Sequence, residues 1–526
     1  MDKTGMTTRR NFVAYAAGLG ATLTVSAAVP VGATEARADE ATPTFDETYD
    51  VVVIGYGLAG ATTAVYAADA GADVLLVDVA PEGHEGGNSR YCGQLCLYTK
   101  DEAALLGYLR NLVDGRDMDD EVLQAYAAGI ADVADVFAHF GVGEPTIWSD
   151  YVSANEDESK ASGVFNAWKA AFPEWREVEG SESVDVMTAH PGVSDGALYA
   201  AAQEAVQARE GIEVWLESPA TRLIQDAEGA VVGVVVEHEG SEVCIGATGG
   251  VVLACGGFEC NRQMIQDYLG CTRLAPLGGL YNNGDGIRMA QEVGADLWHM
   301  YNYESLGMLG GNNYEVPDGE RAIMKSNYAP AATGALICVA DDGSRYLAED
   351  AGNRHGHVKM GGTWKIPNTS VRPHVMFDEA QKAVIEQTDL IPADVDTALV
   401  SAPTAEELAG LIGADSETLA ATIARFNEFA TNGDDPQFGR AAETMRPLEG
   451  TLYALPLQST VLNTQGGPRR NASAQVVSVG GAPIPGLFSA GECGGVCANK
   501  YQGGGNVAEC LVFGRSAGTN AAAGLR

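Results

Sequence analysis

Basic residues are scarce in this chain. Lys and Arg together number 32 of 526 residues, against 71 Asp and Glu, so the formal net charge is −39. Binding to nucleic acid or to an anionic membrane surface needs basic patches, and this charge balance argues against both. Charged residues are only 20% of the chain while hydrophobic residues are 46%, which excludes a disordered acidic tail.

Cysteine is also sparse, and long apolar runs are lacking beyond the N-terminal region. Ten Cys in 526 residues are too few for a disulfide scaffold, and no later stretch is apolar enough to predict a membrane span. Three Cys pairs flank glycine-rich segments, and their spacing matches no standard iron–sulfur signature, which favours buried thiols over a cluster. The pairs are Cys92/Cys96, Cys255/Cys260 and Cys493/Cys497. No metal site and no c-type haem are predicted.

Glycine, in contrast, is abundant, with 65 residues. Gly55, Gly57 and Gly60 form a Gly-x-Gly-x-x-Gly run between an apolar segment, residues 49–55, and an Ala-rich helical segment. The three glycines suit a tight turn, a close approach of backbone to a pyrophosphate and close helix–strand packing. Asp78 ends the next apolar run, where an acid accepts ribose hydroxyls. The pattern predicts a dinucleotide site; the alternative is a glycine-rich α/β turn that binds no nucleotide.

The first residues have the features of an export signal. Arg9-Arg10 precedes a mildly apolar stretch that ends in Ala36-Arg37-Ala38, an A-x-A-like cleavage site. Residues 1–38 are therefore predicted to be a twin-arginine signal peptide, followed by a linker over residues 39–48. The expected location is periplasmic or at the cell surface. The alternative is a basic N-terminus followed by a buried helix.

A series of ordered motifs extends over the rest of the chain. They are Gly86-Gly87-Asn88-Ser89, Cys255-Gly256-Gly257-Phe258, Asn283-Gly284-Asp285-Gly286, Gly343-Ser344-Arg345-Tyr346 with Glu349, Phe438-Gly439-Arg440, Thr464-Gln465-Gly466-Gly467, residues 485–492 (PGLFSAGE) and residues 503–507 (GGGNV). In this order they resemble the flavoprotein family of fumarate reductases and succinate dehydrogenases, with its urocanate reductase and 3-ketosteroid dehydrogenase relatives.

The resemblance implies an α/β fold with a Rossmann-like FAD-binding domain built from discontinuous segments. Residues 49–297 and 448–526 would form this domain, and residues 298–447 an inserted α+β capping domain. FAD would be held without a covalent bond, although His84 lies in a loop where some relatives attach the flavin. Besides the glycine turn and Asp78, the expected cofactor-binding residues are Gly87, Asn88, Ser89, Gly256, Asp285, Glu492, Asn506 and Val507.

The resemblance also suggests catalytic residues. Arg345 lies in a pattern like the family's Gly-x-Arg-Phe-x-x-Glu, and the expected role is proton donation to the alkene, with Glu349 as relay or structural partner. Tyr501 and Gly505 match the Tyr-x-Gly-x-Gly loop of 3-ketosteroid dehydrogenases, where a hydroxyl and a backbone N–H polarise a ketone oxygen. The alternatives are a salt-bridged Arg345 on the surface of the cap and a Tyr501 that only packs on the flavin.

The family's dicarboxylate-binding set is missing. Leu306, Asn463 and Gln502 stand near positions where fumarate reductases have His, His and Arg. Neutral side chains do not replace cations that bind carboxylates, so fumarate and succinate are not expected substrates.

Two functions remain as hypotheses. The first is an exported reductase of an activated C=C bond in a small molecule, working in anaerobic respiration with a separate electron donor such as a membrane-anchored cytochrome. The second is a 3-ketosteroid-type dehydrogenase that introduces a C=C bond. A non-catalytic FAD-binding module is a third reading that Arg345 and the predicted cap disfavour.

Overall fold

The computed structural model describes residues 43–155, 172–324, 333–351, 354–360, 362–366, 370–388 and 396–524. The predicted signal peptide and the first residues of the predicted linker lie outside these ranges. Within them, no helix combines the length and apolar character needed to cross a membrane.

The larger sheet is built from segments that are far apart in the sequence. Its parallel strands stand in the order Pro483–Ser489, Ser241–Leu253, Glu47–Ile54, Val74–Val77 and Ile212–Trp215. Gln475–Val477 is antiparallel at one edge, and a hairpin, Ala220–Gln225 with Val231–His238, extends Ser241–Leu253. The near-continuous apolar runs form these strands because both sides of a parallel sheet are covered.

Two helices rich in small residues pack together against this sheet. Leu58–Asp69 follows the glycine turn, and Gly505–Ala522 closes the chain. A side chain at Gly518 would overlap the carbonyl oxygen of Thr63, so the two helix backbones approach too closely for any larger residue. These two helices, which are far apart in the sequence, thereby form one layer of the domain.

A second sheet belongs to the cap. Leu452–Val461 pairs with Ala275–Pro276, Asn312–Tyr314, Val400–Ala402 and His374–Asp378, and the last of these also pairs with Leu336–Val339. The helices Ala405–Ile412 and Ser416–Asn432 pack against it. The expected fold, a discontinuous α/β domain with an α+β cap, is confirmed. The boundaries at 298 and 447 stay a prediction, since strands outside them also pair in the cap sheet.

The other elements are short. The remaining helices are Gly87–Tyr91, Glu102–Leu112, Asp120–Ala131, Val133–His139, Trp148–Ala154, Ser181–Ser183, Ala197–Gln207, Arg262–Met264, Ile265–Leu269, Asp285–Glu292, Glu379–Ile385, Asp396–Ala398 and Ala442–Thr444. The small sheets are Cys96–Tyr98, Asp185–Thr188 and Thr146–Ile147; Leu297–Trp298 with Gly467–Pro468; Tyr303–Glu304 with Asn463–Thr464; and Val358–Met360 with Thr363–Lys365.

Candidate active site

The glycine turn has the geometry that the sequence predicts. Gly55 has φ +106°, and a Cβ there would lie 2.5 Å from the carbonyl oxygen of Ala254. A Cβ at Gly60 would overlap the carbonyl oxygen of Gly55, so the helix begins in contact with the strand end. Gly57 is the N-cap of Leu58–Asp69. The N–H groups of this helix start therefore lie at the turn, where an anion binds best. The N–H of Leu58 donates to Ser89 Oγ at 3.1 Å.

Most of the expected cofactor residues line one cleft beside this turn. They are Gly55, Gly57, Asp78, Gly87, Asn88, Ser89, Gly256, Asp285 and Glu492, and His84 also lines the cleft. The other three expected residues are not among its described lining. Gly60 lies in the first turn of the helix Leu58–Asp69, against Gly55, and Asn506 and Val507 lie in the helix Gly505–Ala522.

Asp78 is bound to backbone in this structure. Its carboxylate accepts hydrogen bonds from the N–H groups of Tyr56, at 2.6 Å, and Ala80, at 2.8 Å. Burial raises the pKa of Asp78 even though both hydrogen bonds favour the charged form. Asp78 thus links the glycine turn to the end of Val74–Val77; its ribose-binding role stays a prediction.

Two buried carboxyl groups meet next to the cleft. Asn88 Nδ2 donates to Glu492 over 2.8 Å and also to Glu259, and Glu492 Oε1 accepts the N–H of Thr464 at 2.7 Å. Burial first, and then the neighbouring Glu259, raise the pKa of Glu492 well above its usual range. Two adjacent carboxylates repel each other, which favours a proton on one of the two groups. Glu259 was missed by the sequence analysis, although it directly follows a quoted motif.

The residues present fit a flavin dinucleotide. Across the cleft, a Cβ at Gly57 would stand 3.6 Å from the carbonyl oxygen of Gly86, so a side chain there would fill the space between the two backbones. Gln465 Nε2 donates to Asn506 Oδ1 at 3.3 Å. The other amide atoms, Gln465 Oε1 and Asn506 Nδ2, are buried without a hydrogen-bond partner among the described residues. Such atoms need a polar partner, which water or a ligand can supply, and the edge of an isoalloxazine ring offers both donors and acceptors.

Tyr501 and Gly505 are together, but only one of the two expected donors is free. Both residues line a second, largely apolar cleft, with Asn506. Tyr501 Oη accepts the N–H of Asn506 at 3.1 Å, which leaves the hydroxyl proton for an acceptor. The N–H of Gly505 donates to the carbonyl oxygen of Gln502 at 3.0 Å. In this structure the Gly505 N–H is thus used within the loop, and the expectation that it polarises a substrate oxygen stays a prediction.

A contact between His355 and Glu174 that the sequence analysis missed packs against Tyr501. The His355 ring stands edge-on to Tyr501, with 4.7 Å between centroids, and its Nδ1 lies 2.8 Å from Glu174 Oε1. Glu174 Oε2 accepts the N–H of Gly503 at 2.8 Å. His355 has φ +49°, a conformation uncommon outside glycine. No local motif marks either residue, because the contacts form only when distant segments fold together.

Arg345 does not join this group. Its guanidinium binds Glu349 at 2.6 Å and Asp435 at 2.8 Å, its side chain is 2% exposed, and Phe438 covers it with 5.0 Å to the ring centroid. Arg440 shares Glu349 in this cluster. Arg345 is absent from the described lining of both clefts. The guanidinium is enclosed in the cap and its Nε, Nη1 and Nη2 groups all bind carboxylates, a geometry that favours a structural role; the expected proton-donor role stays a prediction.

Two of the three residues at the dicarboxylate positions, Asn463 and Gln502, are buried polar groups. Asn463 lies opposite Glu304 in a short antiparallel pair. Gln502 Oε1 accepts the hydroxyl of Tyr108 at 2.7 Å and the N–H of Glu174 at 3.2 Å. Neither side chain brings a positive charge.

The cysteines form no disulfide in the structure. Over the described residues, no three His, Cys, Asp or Glu side chains converge in a way that would hold a metal. Cys255 and Cys493, which belong to different sequence pairs, approach each other at Gly286.

Comparison with known proteins gives a consistent picture. The family model described as FAD binding domain matches residues 50–507. A protein named probable fumarate reductase Ifc3, from Shewanella frigidimarina, is 28% identical over 491 residues, 90% of this chain and 75% of the relative. The digoxin reductase of Eggerthella lenta is 28% identical over 560 residues, 98% of this chain and 97% of the relative.

A solved structure also matches. It is the 3-ketosteroid-delta4-(5alpha)-dehydrogenase of Rhodococcus jostii RHA1 in complex with 4-androstene-3,17-dione, with 26% identity and a TM-score of 0.63. The match covers 92% of this chain and 99% of that one.

Proposed function

This chain belongs to the FAD-binding domain family, and on that premise we propose that it is an exported flavoenzyme that reduces an activated C=C bond. The substrate is an enone, enoate or unsaturated lactone, and fumarate is a poor one. FAD, when bound, supplies hydride transfer; the cleft beside Gly55–Gly60 and the Gln465–Asn506 amide pair hold it.

The observation that carries this proposal is the environment of the Tyr501 hydroxyl. Asn506 donates its backbone N–H to Tyr501 Oη. Its side-chain amide oxygen accepts a hydrogen bond from Gln465, the other member of the amide pair proposed to hold FAD. The Tyr501 proton is then available to a carbonyl oxygen conjugated with the alkene. A hydrogen bond to that oxygen draws charge away from the C=C bond and favours hydride attack at the distal carbon. The resulting enolate then takes one proton from solvent at the carbon beside the carbonyl, which completes the reduction. With Arg345 enclosed, Tyr501 is the group that faces the substrate.

Exclusion of fumarate follows from charge. Two carboxylates need cationic partners, ideally guanidinium groups that bind both oxygens. Asn463 and Gln502 are neutral, and the Gln502 amide oxygen already accepts two hydrogen bonds.

Export and electron supply complete the proposal. Arg9-Arg10 directs the folded protein through the twin-arginine route, and a separate carrier such as a membrane-anchored cytochrome reduces the flavin. FAD is held without a covalent bond. Acid precipitation of the purified holoprotein should therefore release FAD into the supernatant; yellow colour that stays with the pellet would contradict this.

The second candidate is a 3-ketosteroid-type dehydrogenase. The Tyr501-x-Gly-x-Gly505 loop favours it, and Tyr501 would bind the ketone oxygen in either direction of reaction. The two candidates differ in the direction of electron transfer. The reductase passes electrons to an alkene, whereas the dehydrogenase takes electrons from a saturated ketosteroid.

The test uses purified holoprotein with two assays. Reduced methyl viologen with a panel of enones, unsaturated lactones and fumarate measures reduction, and a saturated 3-ketosteroid with an artificial acceptor measures dehydrogenation. We expect turnover in the first assay with uncharged acceptors. Turnover only in the second would favour the dehydrogenase, and turnover in neither would contradict both.

A further inference from the structure

The second cleft, beside Tyr501, has mostly apolar walls. It holds about 440 Å³ of space, within the range of about 300–1,000 Å³ that is typical of small-molecule sites. The helices Glu102–Leu112 and Asp120–Ala131 contribute to one side, and the loop that contains Tyr501 and the start of Gly505–Ala522 contribute to the other. The aliphatic side chains of the lining include Leu97, Leu109, Leu112, Val113, Leu123 and Val496.

Gly505 lets this cleft extend between two tyrosines. A Cβ at Gly505 would stand 3.2 Å from Tyr501 Cε2 and 3.3 Å from Tyr126 Oη, so a side chain there would press against both. The φ angle of Gly505 is not in the left-handed region, so the close approach, rather than the backbone conformation, explains the glycine. The cleft therefore continues up to Tyr501, the residue that we assign to the substrate carbonyl.

Most polar side chains that line this cleft are bound to other protein groups. Tyr126 Oη donates to the carbonyl oxygen of Gly505 at 2.7 Å, and Lys500 Nζ donates to Asp114 at 3.0 Å. A ligand in the cleft would therefore find little to bond to in these side chains.

The same holds for the two lining residues nearest to charge and amide chemistry. Both carboxylate oxygens of Glu509 accept the N–H of Val496 at 3.2 Å, and Glu509 also forms a buried ion pair with Arg470. The Gln502 amide oxygen accepts the two hydrogen bonds described above. The cleft thus offers a ligand mainly hydrocarbon surface, next to the Tyr501 hydroxyl.

We propose that this cleft is a subsite for a bulky apolar group, the size of one hydrocarbon ring, carried by the alkene of the substrate. The inference rests on the proposed function, because it takes the Tyr501 hydroxyl as the partner of the conjugated carbonyl. Each CH₂ group that the cleft removes from water should tighten binding about fourfold. The preferred substrates are therefore unsaturated ketones, esters or lactones with a large apolar substituent, and acceptors without one bind weakly.

The experiment compares ligands that differ only in this substituent. Binding to the oxidised holoprotein is measured by isothermal titration calorimetry with two saturated ketones, 4-cyclohexylbutan-2-one and pentan-2-one, which do not alkylate cysteine. Turnover is measured as kcat/KM with reduced methyl viologen and the corresponding enones, 4-cyclohexylbut-3-en-2-one and pent-3-en-2-one. In each pair a cyclohexyl group replaces a methyl group, so the alkenes have the same electronic character.

Two variants place an aromatic ring in the cleft. Leu123→Phe and Leu109→Phe do so from different helices, so the test does not depend on the folding of one variant. Leu411→Phe, at an exposed position on the cap helix Ala405–Ile412, is the matched control. FAD content and Tm report whether each variant is folded.

In the wild type, we expect the cyclohexyl ketone to bind at least about 30-fold more tightly than pentan-2-one, because burial of the five additional carbons contributes up to about 10³-fold. Leu123→Phe and Leu109→Phe should each reduce this ratio to about 3-fold or less, and Leu411→Phe should leave it unchanged. Equal binding of the two ketones, binding of neither, or an unchanged ratio in both cleft variants would overturn the inference.

The two assays separate this inference from the proposed function. Turnover of both enones with equal kcat/KM, together with equal binding of the ketones, would overturn the inference and leave the reductase function standing. Discrimination in binding without turnover of either enone would support the subsite and contradict the reductase function.

Discussion

The backbone N–H of Asn506 donates a hydrogen bond to the hydroxyl oxygen of Tyr501, with 3.1 Å between the two atoms. Asn506 is in the first turn of Gly505–Ala522, where backbone N–H groups have no partner within the helix. The partial positive charge of a helix start stabilises negative charge that develops on a nearby oxygen. The start of the helix Gly505–Ala522 therefore positions and polarises the Tyr501 hydroxyl, to which we assign substrate binding.

Tyr501→Phe should reduce alkene turnover about 10²–10³-fold, because one hydrogen-bond donor to the developing oxyanion is lost. FAD content and reduction of the flavin by viologen should be unchanged. The measurement is kcat/KM with an enone acceptor. Tyr453→Phe, which removes a hydroxyl bound to Glu379 on the cap surface, is the matched control. Wild-type turnover in Tyr501→Phe would remove Tyr501 from the site.

Arg345→Ala should act on stability. Removing the guanidinium leaves the buried carboxylates of Glu349 and Asp435 without their main partner, which typically costs about 3–5 kcal/mol. The measurement is the free energy of unfolding by urea. Arg288→Ala removes an exposed pair with Glu292 and should cost less than about 1 kcal/mol. A fully stable Arg345→Ala that has lost only alkene turnover would support the proton-donor role.

The Glu259–Glu492 pair predicts a pH dependence. The pKa values of both groups are raised in the folded protein, so the stability due to the bound proton is present at low pH. This stability is lost as the pH rises from the usual glutamate pKa of about 4.3 through the pKa that the group has in the folded protein. The loss is at most about 1.4 kcal/mol per pH unit for each group. Glu259→Gln should therefore gain in Tm relative to the wild type between pH 5 and pH 9. A difference in Tm that does not change with pH would show that the pair holds no such proton.

Replacement of Arg9 and Arg10 by Lys should retain the precursor in the cytoplasm, since the twin-arginine route requires the Arg pair. Cell fractionation and immunoblotting of the full-length chain measure this. Unchanged export of R9K/R10K would reject the predicted signal.

The sequence predicts those parts of the molecule that depend on neighbouring residues. The turn from Gly55 to Gly60 is encoded within a few positions, so its strand, turn and helix were predictable. The enclosure of Arg345 was not predictable, because its partner Asp435 is 90 residues away and comes into contact only when the cap folds. Glu174 and His355 likewise meet Tyr501 through tertiary packing. The use of the Gly505 N–H within its loop was not predictable either, because no residue pattern specifies that backbone hydrogen bond.

The most direct test of the account is a single-turnover experiment on the holoprotein. The flavin is reduced anaerobically with one equivalent of dithionite and mixed with an uncharged enone, and absorbance at the oxidised-flavin band is followed while the product is quantified. The account predicts full return of the absorbance with one saturated ketone formed per flavin, and slower return with fumarate. No return with any uncharged acceptor, or the fastest return with fumarate, would contradict it.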